Sequence, residues 1–206
     1  MDSIIFDVDG TLWDSTEVVA KAWNKYLQQE EHMNITFTAD QLKTLFGKPL
    51  AEIAALIFPE FPVDEQSRLI DGCCEAEHTL LHITGAPLYE DLEKALQILS
   101  AKYPLYIVSN SQCGYIELFL EKTGFGKYFR GHLCNGDTGL DKGSNIRQIA
   151  DRNDLNAPVY VGDTMGDFEA CRKAGVPFVL AEYGFGEVPK PDMRISKPMD
   201  LVTLFC

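Results

Sequence analysis

Four short apolar runs constrain this chain most: Ser3–Phe6, Leu105–Val108, Val159–Val161 and Phe178–Leu180. They lack the apolar–polar alternation of a half-exposed strand. Such runs suit strands buried on both faces of a parallel sheet. Helical patterns fill the intervals, over Leu88–Ser100, Tyr115–Thr123, Lys142–Arg152 and Asp167–Ala174. Gly124 and Gly175 follow two of them, where a helix end favours glycine. Alternating strands and helices predict an α/β fold, a doubly wound (Rossmann-like) parallel sheet.

One long stretch breaks the rhythm. From about Ser15 to Leu81 the pattern is helical, with no convincing strand. Asp14-x-x-Glu17 and Thr38-x-x-Gln41 have the spacing of capping boxes. Val19, Trp23, Tyr26 and Leu27 fall on one helical face. The second helix stops near Gly47, Pro49 suits the start of a third, and a fourth runs from Val63 to about Leu81. Ile83–Pro87 (ITGAP) reads as the return linker. The expected organisation is a core of residues 1–14 and 84–206, with an inserted α-helical cap domain of residues 15–83. An insert after the first strand covers the carboxyl edge of the sheet, where open α/β sheets bind ligands.

Composition narrows the partners. With 31 acids against 18 basic residues the net charge is −13. Nucleic acid and anionic membranes repel such a chain, so neither is an expected partner. An anionic substrate then needs a local cation. The longest apolar run, Ile53–Phe58, is far short of a membrane span. No signal peptide is visible, and the six cysteines (73, 74, 113, 134, 171 and 206) form no CxxC pair. These features predict a reduced, cytoplasmic, soluble protein.

Chemistry-bearing residues follow the strands. Asp7, Asp9 and Thr11 follow the first run, and Ser109, Asn110 and Ser111 the second. Lys142 opens a helix after Leu133–Cys134, while Asp163 and Asp167 follow Val159–Val161. Each group alone has an ordinary reading as a turn, a helix cap or a solvated charge. Together, in a parallel sheet, they converge on one edge. Clustered carboxylates need a cation, and an all-oxygen set without His or Cys suits a hard metal such as Mg²⁺. Lys142 and Ser109 add donors for a phosphate sharing that ion. With its charge offset, one Asp can act as nucleophile and another as general acid and base.

DVDGT at Asp7–Thr11 resembles the first motif of the haloacid dehalogenase superfamily. VSN at Val108–Asn110, Lys142 and GDTMGD at Gly162–Asp167 match its other motifs in order. The cap placement is similar to the branch of phosphoglycolate phosphatases, pyrophosphatases and β-phosphoglucomutases. The resemblance implies that Asp7 attacks phosphorus and Asp9 protonates the leaving oxygen, then activates water. It implies that Thr11 orients the loop, and that Ser109, Asn110 and Lys142 bind the phosphoryl group. Asp7, the Asp9 carbonyl and Asp163 are then Mg²⁺ ligands, with Asp167 a ligand through water or a support.

The resemblance also ranks the activities. Dehalogenases lack the second acid, present here as Asp9. The mutase branch carries a histidine where this chain has Val19. Phosphonate hydrolysis needs a Schiff-base lysine, and Lys43 or Lys48 reads more simply as an anion contact. Hydrolysis of a small phosphorylated metabolite, phosphoglycolate-like, is the expected activity; a β-phosphoglucomutase-like transferase or a silent binding module on the same scaffold competes. Lys48, at a cap turn after Gly47, is the candidate contact for a second anionic group, and Trp13 is expected to pack. Gly143 after Lys142, and the return segment PLYEDLEKAL, depart from the common family pattern without touching a reacting group.

Overall fold

The computed structural model describes residues 1–206. Its strands are β1 (Ser3–Phe6), β2 (Leu105–Ser109), β3 (Phe129–Cys134), β4 (Pro158–Gly162), β5 (Phe178–Ala181) and β6 (Met193–Ile195). They form one parallel sheet in the order β3-β2-β1-β4-β5-β6. Ile4 sits in register with Leu105 on one side and Val159 on the other. The central strands are buried throughout, which is why their sequences show no polar alternation.

The two sheet faces build two cores. Ile4, Phe6, Leu105, Ile107, Val159 and Val161 point to one face, against α5 (Leu92–Ser100), α6 (Tyr115–Thr123) and α10 (Asp200–Phe205). Ile5, Tyr106, Val108 and Tyr160 point to the other, against α8 (Lys142–Arg152) and α9 (Met165–Ala174). The strand order reverses between β1 and β4, so a crevice opens beyond their carboxyl ends.

Residues after β1 form α1 (Thr16–Gln29), α2 (Ala39–Lys43), α3 (Leu50–Ile57) and α4 (Val63–Thr84). Val19, Trp23 and Leu27 bury one stripe of α1 in the main core, beside Leu69, Ile70 and Cys73 of α4. The two connections to this helical insert run side by side: the Asp14 N–H donates to the Pro87 carbonyl at 2.9 Å, and Trp13 bridges to Leu88. No helix is long and apolar enough to cross a membrane.

Most expected elements are present, with instructive differences. The Thr38–Gln41 capping box forms, but the Asp14–Glu17 one does not. Ser15 occupies the N-cap of α1 with its hydroxyl committed elsewhere, to Asp9, while Asp14 accepts from the Thr16 N–H at 3.0 Å. The second helix stops at Lys43 and a turn continues to Gly47. α4 runs on to Thr84, so the return linker begins at Gly85. α5 starts only at Leu92, because Asp91 adopts a left-handed conformation (φ 55°). Leu133–Cys134 is the end of a longer edge strand whose first residues are partly exposed and so carry no apolar run. β6 escapes the pattern for the same reason.

Candidate active site

The residues after β1 fold back at once. The Val8 carbonyl accepts from the N–H groups of Thr11, Leu12 and Trp13, at 3.2, 2.7 and 3.3 Å. The tight loop needs Gly10, whose φ is +78° and whose position would set a Cβ 2.0 Å from Asp163 Oδ2. Asp7 projects from the strand end, 2% exposed. The fold-back returns Trp13 and Ser15 to Asp9: the Trp13 indole N–H donates to Asp9 Oδ1 at 3.0 Å and the Ser15 hydroxyl at 2.5 Å. The Tyr115 hydroxyl, from α6, donates to the same oxygen at 2.7 Å. One oxygen of Asp9 thus takes all three bonds, which fixes the carboxyl and leaves Oδ2 free.

Lys142, the first residue of α8, is 3% exposed. Its ammonium lies 3.0 Å from Asp7 Oδ1 and 2.6 Å from Asp167 Oδ1. Asp167 is fully engaged. Its other oxygen accepts from the N–H groups of Asp163 and Thr164 at 3.2 and 3.0 Å and from the Thr164 hydroxyl at 2.7 Å, which completes a capping box on α9. Asp163 Oδ2 accepts from the Phe185 N–H at 2.7 Å. Carboxylate oxygens of Asp7, Asp163 and Asp167 lie within 4.8 Å of one another.

Electrostatics follow from this crowding. Burial, then the charges of Asp167 and Asp7, push Asp163 well above the usual carboxylate range. Burial raises Asp7 as well, against the pull of Lys142. Burial works against ionisation of Asp167 too, but there Lys142 and the Thr164 bonds win and hold it low. Burial opposes the Lys142 charge, and Asp167 and Asp7 outweigh it. Asp9 is raised to about 6 by burial, against its three donors.

Three buried acids face one lysine, so the site is short of positive charge. The unpaired atoms agree. Thr11 Oγ1, Asn110 Oδ1, Ser111 Oγ and Asp163 Oδ1 are buried without a hydrogen-bond partner, and such orphans are rare unless something else satisfies them. An all-oxygen donor set with an orphaned carboxylate oxygen fits a hard divalent cation.

A cavity of about 50 Å³ opens over Asp7, Asp9, Ser109, Asn110 and Lys142. The helical insert closes it with Trp23, Phe46, Gly47, Lys48 and Glu77. The Asn110 side-chain amide donates to the Gly47 carbonyl at 2.7 Å, clasping insert to sheet. Gly47 (φ +85°) packs so near Thr164 that a Cβ there would stand 3.0 Å from its hydroxyl. A groove of about 620 Å³ shares Lys48, Asn110 and Lys142 with the cavity and widens toward Lys43 and Lys173.

The strand-end residues expected from the sequence therefore come together. Thr11, Asp163 and Asp167 are wholly buried and stand behind the cavity rather than lining it. Lys48 reaches the rim, paired with Glu52 at 3.0 Å. Trp13 packs, edge-on to Tyr115 and Phe119, and also bonds Asp9. Unexpected members are Ser15, Tyr115, Gln112 and Glu77. Buried Glu77 accepts from the Trp23 indole N–H and the Gln112 amide, both at 2.6 Å. Burial pushes its pKa up to about 8. One signal pointed to it: Glu77 interrupts the apolar stripe of Ile70, Cys73, Cys74 and Leu81 on α4.

This geometry has known counterparts. A profile of the haloacid dehalogenase-like hydrolase family matches residues 4–181. The chain belongs to that family, as an enzyme of its phosphatase kind. The phosphoglycolate phosphatase of Shigella boydii serotype 4 (strain Sb227) is 27% identical over 229 residues, covering 97% of this chain and 90% of that protein. That of Xanthomonas campestris pv. campestris (strain 8004) is 29% identical over 189 residues, covering 89% and 84%. A haloacid dehalogenase-like hydrolase from Streptococcus pneumoniae shares the fold, with a TM-score of 0.87 at 23% identity over 100% of this chain and 99% of that one.

Proposed function

We propose that the protein is a Mg²⁺-dependent phosphatase of a small phosphorylated metabolite, phosphoglycolate-like, working through a phosphoryl group carried on Asp7. The observation that carries this reading is the buried Asp7 carboxylate, held 3.0 Å from the Lys142 ammonium at the floor of the cavity. Asp7, Asp163 and the Asp9 backbone carbonyl would hold Mg²⁺, with Asp167 supporting them through Lys142 and the α9 cap. The ion, when bound, offsets the negative charge of nucleophile and phosphate.

The chain's own groups divide the remaining work. An Asp7 oxygen attacks phosphorus, and the P–O bond to the leaving alcohol breaks. Asp9, raised to about 6, keeps its proton longer than an ordinary aspartic acid and delivers it to that leaving oxygen. In the second half, Asp9 takes a proton from water as the water attacks phosphorus and frees Asp7. Ser15, Trp13 and Tyr115 hold Asp9 in one orientation through both halves. Lys142 and the N–H groups near Asn110 bind the phosphoryl oxygens, with the Ser109 hydroxyl. Thr11 supports the loop from below.

Hydrolysis is favoured over mutase chemistry because Val19 is wholly buried in the core, where a mutase-like relay needs a histidine at the site. Six free thiols fit a reducing, cytoplasmic setting. The test is phosphate release from 2-phosphoglycolate and a panel of phosphorylated metabolites, with Mg²⁺ and with EDTA. Asp7→Asn abolishes turnover on this reading, and acid-quenched wild-type enzyme yields a phosphorylated peptide containing Asp7. Turnover by Asp7→Asn, or by EDTA-stripped enzyme, refutes it.

A further inference from the structure

The cavity wall nearest Asp9 carries an acid that phosphoryl transfer itself does not use. Glu77, on α4, lines the cavity yet is only 5% exposed. The charge of Asp9 bears on it, and Tyr115, whose hydroxyl bonds Asp9, feels both acids. Glu77 therefore stands beside the group that handles the leaving oxygen, facing what that oxygen carries.

Its partners are fixed in place. Trp23 Nε1 donates to Glu77 Oε2 and Gln112 Nε2 to Oε1, both at 2.6 Å. Trp23 is buried and packs edge-on to Phe37. The Gln112 backbone is pinned from behind, its carbonyl accepting from the Cys134 thiol at 3.5 Å. Next to it the Ser111 carbonyl accepts at 3.0 Å from the Gly136 N–H, in the short helix α7 (Asn135–Thr138). Two locked donors thus hold the Glu77 carboxyl in one orientation.

The surrounding charges decide its form. No lysine, arginine or histidine forms an ion pair with Glu77. The titratable groups around it are Asp9 and Tyr115 from the core, Cys73 and Cys74 on its own helix, and Lys48 at the rim. Burial without a paired cation favours the protonated form, and its pKa is pushed up to about 8. A neutral carboxyl has an O–H to place. Trp23 Nε1 and Gln112 Nε2 are both donors and cannot take it, which leaves the proton for an acceptor in the cavity.

We propose that Glu77 selects the substrate as a hydrogen-bond donor, giving its acid proton to a carboxylate on the carbon that bears the phosphoester oxygen. This rests on the phosphatase reading above and names the group that the leaving alcohol carries. An O–H···O⁻ bond is charge-assisted and about twice as strong as a neutral one. It needs no cation, which suits a site whose Lys142 is committed to two acids. An ammonium in the same place would need Glu77 ionised and would add the desolvation of both charges.

The test compares kcat/KM, with Mg²⁺, for 2-phosphoglycolate, ethyl phosphate and phosphoethanolamine. Their second groups are a carboxylate, a methyl and an ammonium. Near neutral pH the wild type should favour 2-phosphoglycolate over ethyl phosphate by about tenfold or more, the worth of one hydrogen bond to a charged group. Phosphoethanolamine should be the poorest of the three. Glu77→Leu should collapse the first ratio, and a ratio taken within one protein does not depend on the fraction folded. Glu77→Gln keeps an N–H donor and should keep the ratio at every pH, whereas the wild type should lose it as pH rises through about 8. An unchanged ratio in Glu77→Leu overturns the proposal. So does a wild-type preference for phosphoethanolamine over ethyl phosphate. Phosphate release from other monoesters but from none of these three overturns it too, and leaves the phosphatase reading standing. Absence of Mg²⁺-dependent release from any phosphomonoester overturns that reading and this inference with it.

Discussion

Lys142 Nζ lies 3.0 Å from Asp7 Oδ1, and both side chains are almost entirely withdrawn from solvent. Removing one partner of such a pair strands the other. Lys142→Met should lower unfolding free energy by about 3–5 kcal/mol in urea titrations. It should also cut kcat by about 10²–10³, the cost of losing a buried donor to a developing charge. Added Mg²⁺ should restore part of the stability, because it returns positive charge to the three acids. It should not restore turnover, because the phosphoryl contact is gone.

Asp163 separates metal binding from stability. Its raised pKa records the cost of ionising it beside Asp7 and Asp167. In EDTA, Asp163→Asn should melt no lower than wild type, since one of the clustered charges is removed. With Mg²⁺ at a hundred times its Kd, wild type should gain about 2.7 kcal/mol, and the variant almost none. Thermal melts with and without Mg²⁺ decide it; an equal Mg²⁺ shift in both proteins would take Asp163 out of the metal site.

Why some of this was legible and some was not has a physical basis. Strands buried on both faces write themselves as apolar runs, so β1, β2, β4 and β5 were readable. β3 and β6 lie at the sheet edges, carry polar residues and were short or missing in the pattern. Asp7, Asp9 and Asp163 stand just after strand ends and Lys142 opens the helix α8 beyond β3, so that topology brings them to one edge. Ser15 and Tyr115 act through tertiary hydrogen bonds that no local spacing encodes, and Glu77 leaves only its break in the apolar stripe of α4. Ser15 sits at the N-cap of α1, yet the structure spends its hydroxyl on Asp9.

Glu77 should give the protein a pH dependence. Its pKa rises from 4.5 to about 8, so the folded state holds this proton where the unfolded chain has lost it. The stability it contributes is therefore complete below pH 4.5 and lost as pH rises through 8, on the order of 5 kcal/mol in all. Glu77→Gln keeps polar partners for Trp23 and Gln112 and cannot ionise. Its melting temperature should fall less than that of wild type between pH 6 and about 9. Glu77 also lines the cavity. Once ionised it repels a phosphate, so KM of the wild type should climb above pH 8 while that of Glu77→Gln stays level.

Asn110 clasps the helical insert through the Gly47 carbonyl. Asn110→Ala should cost about 0.5–1.5 kcal/mol of stability. The larger effect should be on closure, because Phe46, Gly47 and Lys48 all reach the cavity through that turn. KM should rise several-fold, and limited proteolysis should cut the turn after α2 faster than in wild type. Unchanged cleavage would mean that the Phe46–Phe185 contact and the Thr164 packing hold the turn without the clasp.

Lys48 stands at the rim of the cavity with its ammonium 3.0 Å from Glu52. The pair is one helical turn apart and half-exposed, so it holds Lys48 by only about 0.3–0.5 kcal/mol. A carboxylate on the substrate can draw the lysine away at little cost. In a chain of net charge −13 that second cation matters, because Lys142 is already committed to Asp7 and Asp167. Lys48→Ala should therefore raise KM for 2-phosphoglycolate by about tenfold, the loss of one charge-assisted contact. Hydrolysis of p-nitrophenyl phosphate, which has no second anion, should change little. Glu52→Ala should act in the opposite direction and lower KM for the anionic substrate slightly, because it frees Lys48 in advance. Parallel changes on both substrates would place the effect in the closing of the insert, and no change on either would leave selection of the substrate to Trp23, Phe46 and Glu77.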